Sequence, residues 1–222
     1  MSESVSKTLK NHTEKPVHVF FHPINTTLPK PIIKAEALAA LGLDDSLEYL
    51  LFFGLIRPYK GLEVLIKSLP QLRNECPRAR VLVVGEPYEP LKKYRELAST
   101  LKVDDILFFH DRYVSAKEMS MWFSACDWVV QPYISATQSG ITPMAVHFSK
   151  PTIVTNVGSL ASGITPQTGL VSEPNPTALA NTMVTALATT KDFESIKAFD
   201  SIKETKSWRH FCKLVSSTLL KN

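Results

Sequence analysis

The chain has 222 residues, 44% hydrophobic and 21% charged, enough for one large globular domain or two small ones. Its net charge of +4 is too slight for the dense basic face of a nucleic-acid binder, so no nucleic-acid partner is expected, yet it allows a local anion site. No apolar run nears the roughly 20 residues of a bilayer span, and MSESVSKTLKNHTEKP lacks a signal peptide's apolar core, so a cytoplasmic protein is expected.

Val17–Phe21 (VHVFF) is a strand candidate, and the proline-rich HPINTTLPKP after it reads as an extended linker. From Tyr49 onward strands and helices alternate. Tyr49–Phe53 (YLLFF) is an apolar run closed by Gly54, the pattern of a strand buried on both faces. Leu62, Leu65, Ile66, Leu69 and Leu72 follow at helical spacing, with Pro77 beyond them. Arg80–Val84 is the next strand, closed by Gly85, and Leu91–Leu101 the next helix. Ile106–Phe109 is a strand, and Ser115 with Glu118 forms a capping-box pattern ahead of a helix. Trp128–Gln131 and Thr152–Thr155 are strands around a helix at Ser139–Phe148, whose start reads either as an anion cradle or as an ordinary N-cap at Ser139 without a ligand. Gly169–Val171 is a last short strand before a helix from Thr177 to Leu187.

Short apolar strands separated by amphipathic helices need crossover connections, hence a parallel sheet covered on both faces. The expected fold class is α/β, a Rossmann-like, doubly wound parallel sheet of about six strands flanked by helices. Ligands of such sheets bind beyond the carboxyl ends of the strands. Three regions are expected: residues 1–33 as a hinge segment, 34–190 as the sheet domain, and 191–222 as C-terminal helices. The last helix places Trp208, Phe211, Val215 and Leu219 on one face, beside Lys206, Arg209 and Lys213. That stripe is expected to pack on this domain or on another one or, alternatively, to lie at the inner face of a membrane as a peripheral anchor.

Cys76, Cys126 and Cys212 are odd in number and far apart, and read as buried thiols rather than a disulfide or zinc framework. No histidine pairs with another histidine or an acid at a metal-binding helical spacing, so no metal is expected.

Two loops carry the candidate chemistry. In LFFGLIRPYKG, Gly54 permits a sharp turn and close approach of a ligand, Arg57 can fork onto phosphate oxygens, and Lys60 supplies a compact charge. A solvated turn is the alternative reading of this pair. In VVQPYISATQSGITPMAVHF, Thr137, Gln138 and Ser139 offer hydroxyl and amide donors, and Ser139–Gly140 opens a helix with free backbone N–H groups. One loop supplies cations and the other a helix start, which together suit a diphosphate.

The order of these motifs resembles the C-terminal, donor-binding domain of retaining GT-B glycosyltransferases, the group related to glycogen and sucrose synthases. It runs through FGLIRPYKGLEVLIKSLPQL, VLVVGEP, ILFFHDRYVSAKEMSMWFSACDWVVQPY, SGITPMAVHFSKPTIVTNVGSL and TGLVSEPNPTALANTM, from roughly Phe20 to the end of the chain. The resemblance implies that Arg57 and Lys60 stabilise the departing nucleotide diphosphate. It places Gly54, Thr137, Gln138, Ser139, Gly140, Ile141 and Met144 at the donor, and His110, Asp111 and Tyr113 beside the nucleoside base. The substrate would be a UDP- or GDP-type nucleotide sugar, used without a metal or other cofactor, and an acceptor-binding N-terminal domain, in cis or in trans, would be the partner. This chain alone would then be inactive in sugar transfer. The family commonly carries its arginine directly after the first glycine, where Leu55 stands, and glutamates where Ala136 and Met144 stand. A non-catalytic nucleotide-binding or assembly module derived from the same fold is the alternative. His22 and His147 are read as structural.

Overall fold

Six short apolar runs form one sheet because their alternating side chains feed two separate cores. The computed structural model describes residues 3–25, 27–189 and 196–220. The strands are β1 (Glu48–Phe53), β2 (Ala79–Val84), β3 (Leu107–His110), β4 (Trp128–Gln131), β5 (Thr152–Thr155) and β6 (Gly169–Ser172). Their order is β3-β2-β1-β4-β5-β6, and every pairing is parallel. This is the doubly wound arrangement, and the strand order reverses between β1 and β4.

On one face, Leu50, Phe52, Val81, Val83 and Val130 are buried with α3 (Leu62–Glu75), α4 (Lys92–Thr100) and α7 (Pro176–Ala188). On the other, Tyr49, Leu51, Phe53, Leu82 and Val129 are buried with α2 (Lys34–Leu41), α5 (Ala116–Ala125) and α6 (Ile141–His147). The two-residue period of a strand accounts for this division. Most element ends lie within a residue or two of the sequence expectations; α3 runs three residues past Leu72, to Glu75. The capping box of α5 forms as the sequence indicates: Ser115 Oγ accepts from Glu118 N, and the Glu118 carboxylate accepts from Ser115 N.

Three expectations need correction. Val17–Phe21 is not a strand; it has no regular structure, and its aromatics pack on the C-terminal helices instead of a sheet edge. The helix expected from Ser139 begins at Ile141, with Gly140 as its N-cap and no side-chain capping bond. Ser139 Oγ instead accepts from Ile141 N at 3.1 Å, two residues on, so it closes a tight local turn rather than a cap. Of the cysteines only Cys126 is buried; Cys76 is partly buried and Cys212 is exposed on α9 (Trp208–Leu219).

The first helix, α1, spans Glu3–Lys10, and the penultimate one, α8, spans Ile196–Thr205. The boundary expected at residues 190–191 lies outside the described residues. Phe199 of α8 is buried with Ile24 and Val146. Ile24 N donates to Lys206 O, and Phe211 of α9 meets Phe20 and Phe21 edge to face, each at 5.9 Å. The C-terminal helices therefore clasp the linker. His147 Nε2 donates to Pro29 O at 2.8 Å and so secures the same linker, a structural role. His22 Nδ1 lies 2.9 Å from Pro23 O.

Candidate functional site

The strand reversal between β1 and β4 opens the crevice in which this fold holds ligands, and the two candidate loops border it. Gly54 ends β1 at φ +99°, and a Cβ there would lie 2.9 Å from Lys60 Nζ and 3.3 Å from Ile141 Cδ1. Glycine thus leaves room for the lysine and for the first residue of α6 to converge on one point. Pro58–Lys60 forms a single 3-10 turn that folds Lys60 back under this bend. Gly61, at φ +72°, lets the turn sit against the β4 loop, where a Cβ would fall 1.8 Å from Pro132 O. Ile134 N donates to Tyr59 O at 2.9 Å and completes the join.

Lys60 is only 7% exposed. Among the described residues no carboxylate pairs with it or with Arg57. Burial first, and then the Arg57 charge, push the lysine down to about 8 from its ordinary 10.5. Its nearest stabilising neighbour is the Tyr133 ring, 5.8 Å from Nζ, at the outer range of a cation–π contact. Arg57 lies with its guanidinium carbon 3.9 Å from the centre of the Tyr88 ring, and its Nε is buried without an acceptor. A buried donor left unmade costs about 1–3 kcal/mol, more when charged. Two cations held together without a counter-ion, one with an orphaned N–H, make a site that gains from an oxyanion.

Tyr133 links the two loops. It is buried, its hydroxyl and Ser139 Oγ are hydrogen-bonded at 3.2 Å, and burial pushes the phenol up to about 12, so it stays protonated. Ser139 is thereby tied to the aromatic ring that faces Lys60. Thr137, Gln138 and Gly140 are exposed on the same loop, available to a ligand but not themselves fixed. Ile141 is buried in the core, and Met144 packs against that core as a hydrophobic side chain.

The residues after β3 divide. His110 ends β3, and Gly85 N donates to its carbonyl at 3.0 Å, which sets it beside the β2 loop. Its ring lies 4.9 Å from that of Trp122, and neither His110 Nε2 nor Trp122 Nε1 has a hydrogen-bond partner. Burial, and then Arg112, hold His110 below the ordinary histidine range. Asp111 is ion-paired to Arg95 at 3.0 Å, and Tyr113 is 72% exposed. Among the described residues no hydrogen bond or ion pair joins these two to Arg57 or Lys60.

A separate cavity of about 410 Å³ lies between Phe20–His22 of the linker, the start of α6, the Ser159–Gly163 segment and Lys206. It touches Gln138, Ser139 and Gly140 but neither Arg57 nor Lys60. Among the described residues no group of three His, Cys, Asp or Glu side chains could hold a metal, and no helix is long and apolar enough to cross a membrane.

Tyr88 and Tyr133 escaped the sequence reading. The signal was present: a Pro-Tyr pair follows β1, β2 and β4 alike, as Pro58-Tyr59, Pro87-Tyr88 and Pro132-Tyr133.

The profile of the family described as glycosyl transferases group 1 matches residues 48–189. A GDP-mannose:glycolipid 4-beta-D-mannosyltransferase of Xanthomonas campestris pv. campestris is 34% identical over 107 residues, 47% of this chain and 29% of that protein. Sucrose-phosphate synthase from Thermosynechococcus elongatus superposes with a TM-score of 0.83 at 21% identity, over 99% of this chain and 56% of that one. The C-terminal domain of a glycosyl transferase group 1 family protein from Francisella tularensis superposes with a TM-score of 0.69 at 20% identity, over 83% of this chain and 99% of that domain. The Xanthomonas match thus spans about a third of that relative's length, and this chain corresponds to about half the length of the sucrose-phosphate synthase chain.

Proposed function

Because the chain belongs to the glycosyl transferases group 1 family, we propose that it binds the nucleotide diphosphate sugar of a sugar-transfer reaction. The carrying observation is the pair Arg57 and Lys60, crowded at the sheet's switch point with no carboxylate beside them. When the sugar leaves for an acceptor hydroxyl, negative charge grows on the β-phosphate. Two cations fixed there stabilise that charge more than they stabilise the bound donor, which lowers the barrier. This reading asks for no metal, since the cations supply the neutralising charge. Gly54 gives the phosphates close approach to the backbone, and the Thr137–Gly140 loop borders the sugar side. Residues 34–190 form the donor unit. An acceptor-binding domain, in cis or in trans, completes the enzyme.

The test is calorimetry of UDP, GDP and ADP with the wild-type chain, Arg57→Ala and Lys60→Ala. Each variant is expected to bind at least tenfold more weakly, most visibly at low salt. Equal affinity in all three proteins would refute the assignment. Retention of anomeric configuration is what the family resemblance implies. Inversion is the second reading: the Xanthomonas relative's name specifies a β-linked product, and Ala136 and Met144 stand where retaining members commonly carry glutamates. The anomer formed by the completed enzyme, read by proton NMR, separates the two without touching the donor-binding claim.

A further inference from the structure

Arginine is long and loses considerable side-chain entropy when an anion fixes it. Among the described residues Arg57 pairs with no carboxylate, yet its guanidinium carbon lies over Tyr88, 3.9 Å from the ring centre. The ring is 66% exposed, so burial of Tyr88 is not what places it. The backbone places it. Ile56 N donates to Glu86 O at 2.9 Å, Tyr88 N donates to Ile56 O at 3.0 Å, and Ile56 and Pro87 form a parallel bridge. The β1 and β2 loops thus continue the sheet's pairing for one step beyond the strands, and residue 88 falls beside residue 57.

We infer that Tyr88 is a positioning residue that holds the Arg57 guanidinium ready for the diphosphate; the inference rests on the donor-site reading above. The ring lies over the guanidinium carbon, and Arg57 Nε has no acceptor among the described residues, so the group keeps a donor for an oxyanion. Binding then loses less side-chain freedom.

The experiment has two arms on the full chain. In the first, the Arg57 Nε–H resonance is assigned by its loss in Arg57→Ala. Ring-current shielding is expected in wild type and in Tyr88→Phe, with a downfield shift in Tyr88→Ala. In the second, UDP, GDP and ADP affinities are measured. Tyr88→Ala is expected to bind about two- to fivefold more weakly, as suits an exposed cation–π pair. Tyr88→Phe should stay within twofold of wild type, and Tyr88→Ala should add less than twofold in an Arg57→Ala background. An unmoved Nε–H resonance overturns the inference whether or not a nucleotide binds. So does an equal loss in Tyr88→Phe, or a full loss added to Arg57→Ala. Failure of the wild type to bind any of the three nucleotides is a different outcome: it removes the donor reading, while the resonance still reports whether Tyr88 holds Arg57.

Discussion

Lys60→Met should stabilise the unliganded fold and weaken diphosphate binding at the same time. In the folded chain the lysine is pushed from 10.5 down to about 8. A depression of that size is about 3 kcal/mol of unfavourable free energy carried by the charged form. The folded group has the lower value, so the unfolded state holds the proton more tightly, and folding stability rises with pH wherever the two differ. Below about pH 8 the lysine is charged in both states and the whole penalty is present. Between about 8 and 10.5 the folded lysine sheds its proton first and the penalty fades. Above 10.5 it is gone. Methionine keeps an apolar stem of similar length without the charge. At about 2–4 °C per kcal/mol for a chain of this size, Lys60→Met should melt roughly 6–12 °C higher at pH 7. The gap to wild type should close as pH rises through 9 and 10. Diphosphate affinity should fall about ten- to 150-fold, since a hydrogen bond from a charged donor is worth about 1.5–3 kcal/mol. Thermal melts over pH 6–10 and calorimetry at pH 7 check both halves. A variant that melts no higher than wild type at pH 7, or a gap that stays constant with pH, would show that Lys60 is not held charged and unpaired in this crevice.

Gly61→Ala places a Cβ 1.8 Å from Pro132 O at φ +72°, so the β1 and β4 loops must part. A melting point several degrees lower and diphosphate binding at least tenfold weaker are expected, measured by scanning fluorimetry and calorimetry. Asp127→Ala removes the acceptor for Tyr49 N at 2.8 Å and the partner of Lys34, far from the cations. It should destabilise by about 1–3 kcal/mol in urea titration and leave nucleotide affinity unchanged. Ser115→Ala breaks the α5 capping box and should lower stability by about 1 kcal/mol in the same titration, again without effect on binding.

The sheet was legible in the sequence because its strands are short apolar runs closed by turn residues, separated by helices at a clear 3.6 period. Leu50 and Leu51 read alike in sequence, and only the pleat sends one to each core. VHVFF carries the apolar content of a strand, but among the described residues no strand pairs with it, and Phe211 of α9 takes its aromatics. Ser139 looked like a helix cap because Ser-Gly before an apolar run usually is one. The buried Tyr133 hydroxyl binds its oxygen instead, and the helix starts two residues later.

At the site, the sequence by itself determined that two cations follow a glycine at the end of a buried strand, and that a hydroxyl-rich loop follows another. It did not determine that the two loops meet. That depends on strand order, which places β4 beside β1 across some 75 residues of chain. Nor did it assign roles to the Pro-Tyr pairs. Tyr88 meets Arg57 because parallel pairing continues past the ends of β1 and β2, and Tyr133 meets Lys60 because the β1 and β4 loops are joined by Ile134 N donating to Tyr59 O. Local spacing specifies the elements, because periodicity is a property of neighbouring residues. The depressed lysine and the stacked arginine are properties of distant residues made adjacent, and only the tertiary fold decides them.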